Sequence, residues 1–265
     1  DTAWGINRIL AAKNGPIVPF VAETGGLNAM FVDTTALREQ VIDDVIQSAF
    51  GSAGQRCSAL RVLFVPHETA DALIEGLVGA MKTLVVGDPA DPRTDIGPVI
   101  DGDALAALEL HARRVEREAK VLFRLPAPEG GFFFGPLLAE IRDAGFLEKE
   151  VFGPILHIVR YDPANLEDAV APFVAAGYGL TLGVHSRIEA FAEKVRRTVP
   201  AGNAYVNRSM IGAVVGVQPF GGEGLSGTGP EAGGPHALLR FAVERAVSVN
   251  ITAQGGDPAL LSLDL

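Results

Sequence analysis

Short apolar runs of strand length alternate along this chain with longer stretches whose apolar residues recur every three or four positions. This alternation restricts the fold more than any other feature, because it is met by an α/β architecture with a largely parallel sheet flanked by helices and by little else. Residues 29–32, 61–65, 155–161, 180–185 and 204–207 read as strands, and residues 37–50, 69–84, 103–120, 166–176 and 188–197 as helices. In the first helix Val41, Ile42, Val45, Ile46 and Ala49 form one apolar stripe that stops at Gly51.

The flanks read differently. Trp4, Ile6, Ile9 and Leu10 share one helical face, and after Asn14-Gly15-Pro16 residues 17–22 read as a buried strand ending at Glu23. Asp33, followed by two threonines, suits a helix cap. Residues 212–234 form a glycine-rich stretch that does not follow a strand as a dinucleotide fingerprint must, so it reads as a flexible loop of the kind that carries function. Residues 245–250 suit an edge strand, and residues 255–265 a mobile or partner-docked terminus.

Composition removes several function classes. A net charge of −10 leaves no basic patch dense enough to track a phosphate backbone, so nucleic acid is not expected as a partner. No run approaches the roughly 18 to 20 apolar residues that span a bilayer, and the start lacks the layout of a signal peptide. The single cysteine excludes an intrachain disulfide framework and any multi-cysteine zinc site, and it fits a reducing, cytoplasmic setting. The five histidines are scattered without metal-ligand spacing, so no metal is expected. No G-x-S-x-G elbow or phosphate-binding G-x-x-x-x-G-K loop occurs.

Three places have the residue types for chemistry. Cys57 ends the small-residue turn Gly51-Ser52-Ala53-Gly54-Gln55-Arg56-Cys57, with Arg56 beside it and Arg61 four residues on, so positive charge and backbone N–H groups are available to a thiolate. A lone cysteine is equally well explained as a small buried hydrophobe. Glu23 lies at a strand end before two glycines, where a carboxylate can enter a cleft at the carboxyl edge of a sheet, although caps and surface charges look the same. Glu150-Val151-Phe152-Gly153-Pro154 offers an acid and an aromatic ring at a strand start, able to grip a ribose and a flat ring or to serve as an ordinary turn.

In order, Glu23-Thr24-Gly25-Gly26, Gly54-Gln55-Arg56-Cys57, Glu150-Val151-Phe152-Gly153-Pro154 and Pro219-Phe220-Gly221-Gly222 resemble the signature of aldehyde dehydrogenases. The longer wordings from Ala22 to Ala29 and from Ser52 to Arg61, with Ser248-Val249-Asn250-Ile251-Thr252-Ala253, resemble the pyrroline-5-carboxylate dehydrogenase module of bacterial proline utilization proteins. The resemblance implies NAD-dependent oxidation of L-glutamate γ-semialdehyde to L-glutamate, with Cys57 as nucleophile and Glu23 as general base. It implies that Glu150, Phe152 and Gly25 meet the nicotinamide end of NAD. Ser58, Gly212 and Ala213 would then hold the substrate α-carboxylate, with Phe220 along its aliphatic part. FAD enters only if a parent protein carries a proline dehydrogenase domain.

The same resemblance divides the chain into residues 1–22, the end of an NAD-binding domain, residues 23–240, the catalytic domain, and residues 241–265, a C-terminal segment for homo-oligomer contact. Most of the Rossmann-like NAD domain would then precede this chain, which alone is expected not to hold NAD productively. It is expected to be cytoplasmic, with the parent allowed a peripheral seat at the inner membrane. Three other readings are open: a silent structural domain, a cysteine hydrolase without cofactor, and a dehydrogenase for another small aldehyde. Intact Cys57 and Glu23 speak against the first, and the Glu150-to-Pro154 motif against the second.

Overall fold

The computed structural model describes residues 2–250 and Gly255. In chain order it contains α1 (Thr2–Ala12), β1 (Ala29–Val32), α2 (Arg38–Phe50), β2 (Val62–Pro66), α3 (His67–Met81), α4 (Gly102–Glu118), β3 (Lys120–Arg124), β4 (Leu137–Glu140), β5 (Ile155–Tyr161), α5 (Leu166–Ala175), β6 (Tyr178–Gly179), β7 (Thr181–His185), α6 (Glu189–Thr198), β8 (Asn203–Val206) and β9 (Glu223–Gly224). Seven strands form one sheet in the order β3-β4-β5-β2-β1-β7-β8, while β6 and β9 make a small separate ribbon. Every pairing in the large sheet is parallel except β3 with β4. The expected α/β fold with a largely parallel sheet is therefore present.

Strand alternation divides the core. Met30, Leu63, Val65, Leu156 and Ile158 face α2 and α3, where Val41, Val45, Ala49, Leu73 and Leu77 complete one buried cluster. Their neighbours Phe31, Phe64 and Tyr161 face α5 and α6 on the other side, with Val170, Phe173, Ala192 and Val195. Phe31 and Phe64 stack with centroids 4.4 Å apart, and both meet the Tyr161 ring edge-on. A sheet covered on both faces explains why its strands read as continuous apolar runs.

Several expectations need correction. Residues 17–22 form no strand, and Ile17 is fully exposed. Pro16 and Pro19 remove two ladder donors, and no strand of the described chain runs beside the segment. Asp33 does not cap a helix; its carboxylate accepts from the Thr35 backbone N–H and from the Thr35 and Ser186 hydroxyls, closing a turn before α2. Residues 245–249 form no strand, and Val247 and Val249 are exposed, while residues 251–265 apart from Gly255 lie outside the described residues. The edge strand β3 and its neighbour β4 have no counterpart in the sequence reading, since Lys120 and Arg124 mask the apolar signal of β3. No helix of the described residues is long and apolar enough to cross a membrane.

Three buried histidines make stability depend on pH. Burial holds His111 at about 4, His157 at about 3 and His185 at about 4, below their ordinary value. A depressed pKa means the unfolded chain binds protons that the fold does not, so stability is full above about pH 6.5 and falls as pH drops toward 4. Each group contributes about 1.4 kcal/mol per pH unit inside that window. The expected loss from pH 6 to pH 5 is roughly 2 to 4 kcal/mol, read as a lower urea midpoint at unchanged slope.

Candidate active site at the amino edge of the sheet

The segments singled out in the sequence converge, but not at the carboxyl edge. Glu23 to Gly26 precede β1, Cys57 precedes β2, and Glu150 to Pro154 run directly into β5. In parallel strands this collects them at the amino-terminal edge of the sheet, which corrects the expected placement of Glu23. The connections at the other edge are short: α3 begins at His67, the residue after β2, and α6 begins four residues after β7.

The nucleophile turn is built under backbone strain. After α2 ends at Phe50, Ser52, Ala53 and Gly54 take left-handed φ values of 56°, 53° and 64°. Two non-glycine residues in that region persist only when their surroundings fix them. The Cys57 thiol that follows is half-buried. Burial pushes its pKa up, the carboxylates of Glu150 and Glu23 push the same way, and the backbone N–H groups of Ser58 and Cys57 oppose them.

Neither neighbouring arginine hydrogen-bonds the thiol, although the Arg61 charge interacts favourably with it, as expected from the sequence. Arg61 is 2% exposed and spends its donors on Glu150 (2.9 Å), the Gly153 carbonyl (3.0 Å) and the Arg56 carbonyl (3.2 Å). Arg56 turns to the Ser52 hydroxyl (3.0 Å) and the Ile211 carbonyl (3.4 Å).

Glu23 is held by the glycine-rich stretch, which is not the free loop expected from its composition. Glu23 and Gly227 form an antiparallel bridge, the Thr24 N–H donates to Ser226 O (3.1 Å), and the Thr24 hydroxyl donates to Leu225 O (2.6 Å). The residue as a whole keeps over a third of its surface exposed, yet its carboxyl end rests where a Cβ on Gly221 would collide with it. That local burial raises its pKa to about 7, against a hydrogen bond from the Gly222 N–H and with help from Glu231. Phe220, one residue before Gly221, pairs with Ala232 through both backbone hydrogen bonds and so stands beside this acid.

Glu150 is turned inward. Its Oε1 accepts from Arg61 and its Oε2 from the Gly26 N–H (3.2 Å), while burial raises its pKa against the pull of Arg61. A Cβ on Gly25 would overlap the same carboxylate, which gives that glycine a steric reason. Phe152 is largely exposed, with the Arg61 guanidinium carbon 5.3 Å from its ring centre. A cleft of about 670 Å³ opens beside them, lined among others by Trp4, Phe20, Thr24, Gly25, Glu150 and Leu225. Glu150 lines this cleft and Phe152 stands two residues on, so an acid and an exposed aromatic ring are available near a cavity that can take a ribose and a flat ring.

Ser58 is buried next to the thiol, and its carbonyl accepts from the Thr181 hydroxyl (3.1 Å). Gly212 and Ala213 follow Ile211, whose carbonyl meets Arg56 and whose side chain touches Gly51, so their loop stands against the nucleophile turn. Arg208 reaches the Gly212 carbonyl at 3.5 Å. The sequence reading assigned no role to Asn28, which is 2% exposed and joins three segments of the site. A polar residue between Leu27 and Ala29 at the mouth of an apolar run was the available signal.

The aldehyde dehydrogenase family model matches residues 3–247. Among curated relatives, the bifunctional protein PutA of Escherichia coli is 50% identical over 96% of this chain and 20% of its own length. The 1-pyrroline-5-carboxylate dehydrogenase of a Geobacillus species is 35% identical over 86% of this chain and 44% of its own. A crystal structure of a bifunctional proline utilization A protein superposes with TM-score 0.92 at 60% identity, covering 96% of this chain and 26% of that one. The 1-pyrroline-5-carboxylate dehydrogenase from Thermus with bound NAD superposes with TM-score 0.82 at 32% identity, covering 91% and 47%. The chain thus spans about a fifth of the length of the PutA relative and under half that of the dehydrogenases. With the Cys57 turn, Glu23 and the cleft beside Glu150 all at one edge of an α/β sheet, the chain belongs to the aldehyde dehydrogenase family.

Proposed function

We propose that this chain supplies the thiol, the base and the carboxylate anchor for NAD-dependent oxidation of L-glutamate γ-semialdehyde to L-glutamate. The observation that carries the reading is that the segments bearing Cys57, Glu23 and Glu150 lead into β2, β1 and β5 and so meet at one edge of the parallel sheet. The names of the relatives, one of them solved with NAD, supply the substrate and cofactor.

The Cys57 proton passes to solvent water, and the thiolate sulfur adds to the aldehyde carbon, whose carbonyl π pair becomes an oxyanion within reach of the Cys57 N–H. NAD, when bound, accepts the hydride from that carbon. Loss of the hydride leaves a thioester on Cys57. Glu23 then takes a proton from water, whose oxygen attacks the thioester and releases the acid and the thiol. Glu150 and Phe152 hold the ribose and ring, with Gly25 leaving space for Glu150. Ser58 and the backbone around Gly212 and Ala213 meet the α-carboxylate, and Phe220 borders the chain of the substrate.

The same reading makes residues 23–240 the catalytic unit and residues 1–22 the end of an NAD-binding domain. Residues 241–265 become a self-association segment of a cytoplasmic homo-oligomer.

The test follows NADH formation from glutamate semialdehyde by the protein that contains this chain. Glu23→Gln is expected to retain a first-turnover burst while steady turnover falls about 10² to 10⁴-fold, because only thioester hydrolysis needs the base. In the unaltered protein turnover should rise as pH passes about 7, where Glu23 loses its proton. Equal loss of burst and steady rate in Glu23→Gln would remove the base assignment.

A further inference from the structure

Both peptide planes that flank Cys57 are fixed from behind. On the following side, Asn28 Nδ2 donates to the Cys57 carbonyl (2.6 Å) and to the Ala59 carbonyl (2.8 Å). Asn28 Oδ1 is itself anchored by the Thr181 N–H of β7 (3.1 Å). The carbonyl between them, that of Ser58, accepts from the Thr181 hydroxyl (3.1 Å). On the preceding side, the Arg56 carbonyl accepts from Arg61 Nη2 (3.2 Å) and from the Ala59 N–H (3.0 Å).

The peptide bonds here are all trans, so each carbonyl and the next residue's N–H point opposite ways. With the Arg56 and Cys57 carbonyls drawn into the protein, the Cys57 and Ser58 N–H groups are turned outward. Those two N–H groups favour the charged form of the thiol against its burial.

We infer that Asn28 is a positioning residue for the nucleophile: its carboxamide, anchored by Thr181, turns the Ser58 N–H toward the Cys57 sulfur, while Arg61 fixes the Cys57 N–H from the other flank. The inference rests on the reading of Cys57 as the nucleophile and adds a device for stabilising its thiolate. The carboxamide suits the task because it donates twice and accepts once without bringing charge into a buried place. The charged groups that face the thiol are Glu150, Glu23 and Arg61, and the two acids work against ionisation. The turned N–H groups are the local counterweight.

Alkylation of the chain's single cysteine by iodoacetamide, followed against pH, tests this without aldehyde or cofactor. Asn28→Ala is expected to move the midpoint of the rate profile up by about one pH unit and to slow alkylation at pH 8 about tenfold. Thr181→Val, which removes only the hydroxyl, should shift the profile the same way with roughly threefold slower reaction at pH 8. Ile158→Val, a core change in the buried cluster that also holds Ala53 and Leu60 but one that removes no hydrogen bond, serves as the control for general loosening and should leave the profile in place.

An unchanged profile in a cooperatively melting Asn28→Ala protein overturns the inference, as does an equal shift in the control. If Asn28→Ala does not melt cooperatively, Thr181→Val decides, and an unmoved profile there overturns it. Failure of the underlying reading has a different signature, namely aldehyde oxidation that survives Cys57→Ala.

Discussion

Cys57→Ala is expected to lower aldehyde-dependent NADH formation by about 10⁴-fold or more while leaving the fold intact. The size follows from the chemistry: without the sulfur no thiohemiacetal forms, and hydride loss from a bare hydrated aldehyde lacks the covalent route. The fold should tolerate the change because Cys57 is only half-buried, and its turn is held through the backbone carbonyls of residues 56 to 59. Progress curves with glutamate semialdehyde give the rate, and a thermal melt within a few degrees of the parent shows that the loss is chemical. Cys57→Ser should behave similarly, since at neutral pH a hydroxyl in this acid-flanked position stays protonated. Retention of more than a few per cent of activity in either variant would remove Cys57 from the mechanism.

The largest expected effect on stability belongs to Arg61. Its guanidinium is almost wholly buried, and it ties Glu150, Gly153 and Arg56 together through four hydrogen bonds. Breaking a buried pair by removing one partner leaves the other charge uncompensated and typically costs about 3 to 5 kcal/mol. Arg61→Met, which keeps most of the volume, should therefore lower stability by about that amount, roughly 10 °C in melting temperature for a domain of this size. The double change Arg61→Met with Glu150→Gln should recover a large part, because the stranded carboxylate is gone. Additive losses in a urea-denaturation cycle would show that the two side chains do not act as a pair. Arg61→Lys is not a mild substitute, because one ammonium cannot reach the Glu150 carboxylate and two separate carbonyls in a fixed fork.

The sequence made the architecture legible wherever periodicity alone decides it. The stripe through Val41, Val45 and Ala49 and the runs 29–32, 61–65 and 155–161 correspond to α2, β1, β2 and β5 within a residue or so. The reading failed where pairing partners decide instead. Residues 17–22 are as apolar as β2, but hydrophobicity does not provide a neighbouring strand, and Pro19 interrupts any ladder.

At the site, Cys57, Glu23, Glu150 and Ser58 were found as residues, but the edge on which they meet was not. Which end of a strand faces a site depends on where the long connections fall, a property of the assembled sheet. The role of Arg61 was legible only in part, for a similar reason. Its nearness to Cys57 in sequence suggests help for a thiolate, whereas its partner is an acid 89 residues away. Asn28 and Thr181 were silent because their work is done through backbone carbonyls, which every residue possesses.

Placing the active groups before the strands has an electrostatic result of its own. In this sheet α2, α5 and α6 run back against the parallel strands, so their carboxyl ends, at Phe50, Ala175 and Thr198, are the ones that reach the site's edge. Each such end carries roughly half a negative elementary charge from its aligned peptide dipoles. Phosphate-binding folds work from the opposite end, where a helix amino terminus offers ready-made positive potential. Here a thiolate, an oxyanion and a substrate carboxylate would all form against the prevailing field, so no anion can be held by position alone. Each needs its own aimed N–H group or guanidinium. A turn that forces Ser52 and Ala53 into left-handed backbone so as to present such donors fits that requirement.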